Sequence, residues 1–267
     1  MITRAEYNKI NSEVANAVKQ VYDNIKRVNV DNYILLLSNI KYIDSEGYMI
    51  DDRDDEFKDV NRLRFLEDFL NTYYNFPSNQ LEVEDDNYRL NLELMIYSHI
   101  WESKPFLKSL SQASHILSSQ EYSWNLKVPD YKKHEYISQK IKQLFKNCNS
   151  KISEIIEKSY HSSLRNAFAH SDYSISTINE IDIINLHNYS GKQWELKSIS
   201  LYDWSRRFLY SALLTYHFYK TYRNRRTNII NDLGEDTYVI PVPIEKIEYK
   251  TLHIKYEPIF DDFSLFL

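Results

Sequence analysis

Apolar residues recur at helical intervals over most of the chain. Across residues 3–28 they fall at Ile10, Val14, Ala17, Val18, Val21 and Ile25, one side of a helix. Residues 30–43 form a shorter apolar stretch that reads as a second helix, broken at 44–47. An acidic run at 51–56 leads into a third at 57–74, and carboxylates in a first turn suit the helix dipole. As metal ligands they lack the glycine and spaced oxygens of a calcium loop. The chain breaks at 76–79, and a second acidic patch follows at 82–86. Residues 88–101 are again apolar at helical spacing, with Leu92, Met95, Ile96, His99 and Ile100 on the stripe. Ser103 and Pro105 then read as the cap and first turn of a helix reaching about Leu117. A polar, aromatic connector with Trp124 spans 118–129, and a helix runs from Asp130 to about Asn147.

Residues 150–170 predict one continuous amphipathic helix. Ile152, Ile155, Ile156, Ser159, Tyr160, Ser163, Leu164 and Ala167 cluster on one side, and Arg165 projects away from them. After His170 the period shortens. Segments 174–178, 180–187 and 193–199 are rich in Ile, Thr and Trp, and 188–192 carries a hairpin signal. Residues 203–222 restore a long helix, with Phe208, Leu209, Ala212, Leu213, Tyr216 and Tyr219 on its apolar side and a basic end at 220–226. The tail, 238–267, contains two alternating segments and three prolines, which suit a few strands against the body or a docking segment. The expected fold is mainly α: a helical bundle with a small inserted β-hairpin at 174–199 and a short β-containing C-terminal tail. One domain, 1–267, divides into N-terminal helices (1–120), a core (130–226) and an extension (228–267).

Composition narrows this picture. With 267 residues, 43% hydrophobic and 27% charged, the chain can bury a sizeable core. Three glycines exclude a glycine-rich phosphate loop. One cysteine, Cys148, excludes an intramolecular disulfide and a cysteine-based zinc site. The net charge of −5 argues against broad non-specific nucleic-acid binding but leaves room for a small basic site. The 23 tyrosines fit a biased composition, shared with Asn, Ile and Lys, better than a set of base-stacking platforms. The N-terminus is too charged for a secretory signal, and the longest uncharged apolar run, 208–219, is too short to cross a bilayer, so a cytoplasmic protein without membrane contact is expected. His134, His161, His187 and His217 share no spacing with carboxylates, and neither a triad, a metal site nor a cofactor is expected.

The candidate chemistry lies at 164–173, Leu-Arg-Asn-Ala-Phe-Ala-His-Ser-Asp-Tyr. Arg165 can hold a phosphate through its planar fork. Asn166 shares a helix face with His170, and histidine moves protons near neutrality. Asp172 could fix the His170 tautomer or cap the helix end. Arg165 and His170 lie about 140° apart on a regular helix. They converge only if the last turn frays or if two chains pair these helices.

Arg165-Asn166-Ala167-Phe168-Ala169-His170 resembles the signature of HEPN domains, an arginine followed by a polar residue and, a few residues on, a histidine. The resemblance spans about 130–226. It implies a helical bundle in which two protomers bring their motifs together, and in many members a metal-independent endoribonuclease of toxin–antitoxin, abortive-infection or CRISPR defence systems. It therefore implies RNA as substrate, a homodimer through the motif helix, and an antitoxin or defence partner. Cleavage would proceed by attack of the 2′-hydroxyl. Arg165, His170 and Asn166 would be catalytic, with Asp172, Tyr173 and the basic end Arg223, Arg225 and Arg226 as candidates for holding RNA. Tyr173 stands three residues after His170, whereas some HEPN toxins carry the modified tyrosine two residues after it. A non-catalytic HEPN module that binds a nucleotide, RNA or a partner protein is the alternative.

Overall fold

The computed structural model describes residues 2–43, 47–50, 53–77, 80–83, 86–118, 121–176, 179–184, 196–243 and 249–266. A two-residue strand, β1 (Ile2–Thr3), leads into α1 (Arg4–Val28). Thr3 and Glu6 cap it reciprocally: the Glu6 N–H donates to Thr3 Oγ1 and the Thr3 N–H to Glu6 Oε2, each at 3.2 Å. The stripe expected on α1 is buried in full, with Tyr22 added.

The expected helix at 30–43 is shorter. It forms α2 (Val30–Ser38) and stops at Asn39, which adopts a left-handed φ of 50°. Asparagine tolerates that conformation better than most residues. The remaining residues become β2 (Ile40–Ile43), antiparallel to β3 (Gly47–Ile50). Next come α3 (Arg53–Tyr73) and β4 (Glu82–Val83), which pairs with β1. On α4 (Asn87–Glu102) the buried side runs through Leu90, Leu94, Tyr97 and Trp101, while Met95 is 42% exposed. The expected stripe was thus rotated. The error has a cause: Arg89 and Glu93 occupy core positions that a hydropathy pattern reads as surface. The carboxylate of Glu93 is fully buried. It accepts hydrogen bonds from Tyr74 Oη at 2.5 Å, from Trp204 Nε1 at 2.9 Å and from Arg89 Nη1. Burial pushes its pKa up, and the Arg89 guanidinium opposes that shift.

Ser103 and Pro105 begin α5 (Lys104–Leu117), with the boundaries the sequence predicts. The helix expected from Asp130 is divided into α6 (Lys133–Glu135), a π-helical segment (Tyr136–Lys142) and α7 (Gln143–Asn147). The motif region is not one helix but two, α8 (Ile152–Ser159) and α9 (Ser162–His170). In place of a single hairpin, β5 (Tyr173–Ile175), β6 (Glu180–Ile183) and β7 (Ser198–Ser200) make a three-stranded antiparallel sheet in that order. The hairpin signal at 188–192 lies outside the described residues.

The longest helix, α10 (Leu201–Thr227), is the axis of the molecule and packs against α1, α3, α4 and α8. A single apolar side was expected, yet residues 208–215 are buried all round, as suits a helix enclosed by neighbours. A short α11 (Ile229–Leu233) precedes the tail, which forms β8 (Thr237–Pro243), β9 (Tyr249–Glu257) and β10 (Asp262–Phe266). Their order is β10-β9-β8, so Pro241 and Pro243 sit on an edge strand, where a missing N–H is tolerated. Tyr238, Ile240, Val242, Leu252, Ile254 and Tyr256 alternate into the core, which is continuous from α1 to this sheet. No helix among the described residues is long and apolar enough to cross a membrane.

Candidate functional site

The break between α8 and α9 is made by side chains from other elements. Tyr160 and His161 are extended, with ψ of 136° and 125°. The His161 N–H donates to Tyr97 Oη at 2.9 Å, and that hydroxyl donates to the Ser159 carbonyl at 3.2 Å. Arg207 of α10 donates to the Tyr160 carbonyl at 3.0 Å and the Glu157 carbonyl at 3.3 Å. A cation placed on the last carbonyls of α8 satisfies the acceptors a helix end leaves open and complements its dipole. His161 Nδ1 accepts the Ser163 N–H at 3.2 Å and so caps α9. His161 is therefore structural.

The break re-aims Arg165. Instead of projecting to solvent, its side chain is only 15% exposed and meets Glu102, the last residue of α4, at 2.9 Å. The second oxygen of Glu102 pairs with Lys133, whose side chain is 8% exposed. Two cations thus share one carboxylate. Arg165 Nε is buried with no hydrogen-bond partner among the described residues. Tyr160, its ring tilted against Trp101 at 4.9 Å, lies beside the guanidinium, and burial raises its phenol pKa against the pull of Arg165.

His170 ends α9 fully regular, and its side chain is exposed. The helix does not fray at that point. Ser171 turns the chain with a φ of 59°, its N–H donating to the Phe168 carbonyl at 3.3 Å, and the Asp172 N–H donates to the Ala167 carbonyl at 2.8 Å. This is a Schellman closure with serine in the position glycine usually takes. The backbone of Asp172 completes it. Asn166 is half-buried one turn before His170 on the same side. Because α9 stays regular, Arg165 and His170 remain about 140° apart around the axis and do not converge within one chain. Tyr173 begins β5, stacks edge-on against Phe168 at 5.3 Å and donates to Asn91 Oδ1 at 3.3 Å.

The basic end of α10 is not an open cationic strip. Arg226 is 6% exposed and pairs with Asp261 at 3.2 Å. Arg225 bridges Asp23 and Asp232. Arg223 is exposed. Arg206 lies over the Tyr202 ring at 5.5 Å, and Arg207 is committed to α8. Among the described residues, no three His, Cys, Asp or Glu side chains form a group able to hold a metal ion; His187 lies outside them.

Sequence reasoning missed Glu102, Lys133 and Tyr160. Glu102 and Lys133 come from separate helices, and no local spacing links them to Arg165. Comparison with known proteins adds nothing to this description: no family model, no curated protein and no solved structure matches the chain.

Proposed function

We propose that the chain is a metal-independent endoribonuclease of HEPN type that acts as a homodimer. Arg165 is the phosphate-binding group and His170 the proton-transfer group, with Asn166 beside it. One observation carries the reading: Arg165 and Lys133 share the single carboxylate of Glu102. Such a cluster keeps one positive charge in excess, which attracts a phosphate. The imidazole of His170 stands exposed on the same helix, ready to exchange protons with a bound RNA. Because the two side chains point in different directions from α9, the phosphate held by Arg165 of one protomer faces His170 of the other. A dimer also supplies two imidazoles, one for the base and one for the acid.

A second reading has an observation of its own. Arg165 is already paired inside the chain with Glu102, as in a module that binds RNA or a partner without cutting.

One assay separates them. RNA cleavage in the presence of EDTA is compared for the parent chain, Arg165→Ala, His170→Ala and Glu102→Gln. For the nuclease, the first two variants lose activity by at least about 100-fold, the loss expected of a general acid–base or oxyanion-stabilising group. Glu102→Gln, which releases Arg165 toward phosphate, cuts faster. Equal RNA binding with no cleavage by any of the four proteins establishes the binding module instead. Sedimentation at the assay concentration tests the dimer.

A further inference from the structure

Of the three charged groups around the motif arginine, the acid stands outermost. The Glu102 side chain is 36% exposed, against 15% for Arg165 and 8% for Lys133. Its two oxygens are divided between the cations: Oε1 meets Arg165 Nη1 at 2.9 Å, and Oε2 accepts from Lys133 Nζ. Among the described residues Glu102 is the one acid within ion-pair distance of either cation. Asp130 and Glu135, the acids on either side of Lys133 in the chain, pair with Lys104 and Lys132 instead.

The backbone carries Lys133 to this place. Lys132 holds a left-handed φ of 58°, and a π-helical segment begins three residues after Lys133. Such segments are frequent at functional sites. Tyr131, Lys132, His134 and Glu135 are all exposed, while Lys133 alone among them turns inward. Burying an ammonium is unfavourable unless an anion meets it. Its Nζ also lies 3.5 Å from the Glu102 carbonyl oxygen, which is long for a hydrogen bond, so the carboxylate is its main partner.

One surface cation is enough to hold an exposed carboxylate. Two cations, both largely buried behind it, make a seat for an oxyanion. A phosphodiester carries one negative charge and presents two non-bridging oxygens, as a carboxylate presents two. It can take the place of the carboxylate without changing the net charge of the cluster. Only the Glu102 side chain has to swing outward. The backbone beside it stays tied through the Ser103 N–H, which donates to the Ile100 carbonyl at 3.2 Å.

We propose, resting on the reading of this site as one that acts on RNA, that Lys133 is a second phosphate-binding group. Lys133 and Arg165 hold one phosphodiester between them, one non-bridging oxygen each, and Glu102 fills that seat until RNA displaces it.

The test uses a single-stranded RNA with methylated 2′-hydroxyls, which binds but cannot be cut by attack of that group. Its affinity for the full chain and variants is measured by fluorescence anisotropy at several salt concentrations, with cleavage of the unmodified strand followed in parallel. Lys133→Met leaves Arg165 paired with Glu102, and its melting temperature checks the fold. It is expected to bind about 5- to 30-fold more weakly and to lose the salt dependence of about one phosphate contact. Lys133→Arg recovers most of that affinity. Arg165→Ala also binds weakly, and combining it with Lys133→Met costs less than the product of the two single losses, because both groups serve one phosphate. Glu102→Gln binds more tightly than the parent. Parent-like affinity and salt dependence in Lys133→Met, with Arg165→Ala impaired, overturns the assignment and leaves Arg165 to bind phosphate alone. Glu102→Gln binding no tighter than the parent overturns the exchange. No binding of the methylated strand by the parent overturns both the seat and the RNA reading. The expected pattern in a chain that cuts no unmodified RNA upholds the seat and removes only the nuclease.

Discussion

His217 shows how much one buried side chain can make stability depend on pH. Its Nε2 lies 2.6 Å from Asn11 Oδ1, an acceptor, so the neutral ring donates there. Burial, and then Lys220, hold its pKa down to about 4 against an ordinary value of 6.5. The unfolded chain therefore binds a proton that the folded chain refuses between those two values. The resulting stability is fully present above pH 6.5 and is lost as pH falls toward 4. Urea denaturation at pH 7 and pH 4.5 should show a loss of roughly 2 kcal/mol from this group, discounted for its partial exposure. His217→Gln should show a correspondingly smaller difference between the two pH values. Ser171, one residue past His170, is a different local case. It holds a left-handed backbone without glycine's freedom; the two amide hydrogen bonds that close α9 hold it there, and the Ile184 N–H donating to the Asp172 carbonyl at 2.8 Å anchors the residue that follows. Nothing in its residue type announces that conformation, whereas the cap Ser103 could be read directly from its chemistry.

Among the elements, the pair α8 and α9 separates what local sequence specifies from what it does not. The stripe of α1 and the bounds of α5 were legible because one period of apolar residues, or one cap and proline, decides where such a helix lies. The interruption at Tyr160 and His161 was not. Neither residue is a helix breaker, and the groups that hold the turn open belong to α4 and α10. The same turn decides where Arg165 points, so the motif could be found in the sequence while its surroundings could not. Arg207→Ala tests the argument. It strips two hydrogen bonds from the carbonyl end of α8 and should destabilise the protein by about 2 kcal/mol in denaturant titration. Arg206→Ala, one position away on the exposed side, should cost less than about 0.5 kcal/mol.

For the whole molecule, Glu93 is the point where distant parts of the chain are joined. Its carboxylate gathers Tyr74 from the end of α3, Arg89 from its own helix and Trp204 from α10, all in the dry interior. A buried carboxylate of this kind is invisible to hydropathy, which is why the α4 stripe was misread from the sequence. Removing it takes the carboxylate from a buried guanidinium, which keeps its bond to Tyr74 Oη at 3.1 Å, and the acceptor from the Trp204 indole N–H. Glu93→Ala should therefore destabilise by about 3–5 kcal/mol, measured by urea denaturation at neutral pH. The mainly helical architecture followed from periodicity alone. The strands at 173–183, at 198–200 and in the tail lie where the pattern changed to β-like segments, but their pairing was not legible, and β1 to β4 were not expected at all, because such short strands are chosen by the folded body.

One further property follows from the corner between α4 and α5. Glu102 grips Arg165 and Lys133 on one side, and Lys104, two residues along, pairs with Asp130 on the other. Ser103 between them is buried and caps α5 through the Phe106 N–H. One hydroxyl thus sets where a helix begins directly beside the acid that holds the arginine, so Ser103→Ala should loosen both the start of α5 and that acid's footing.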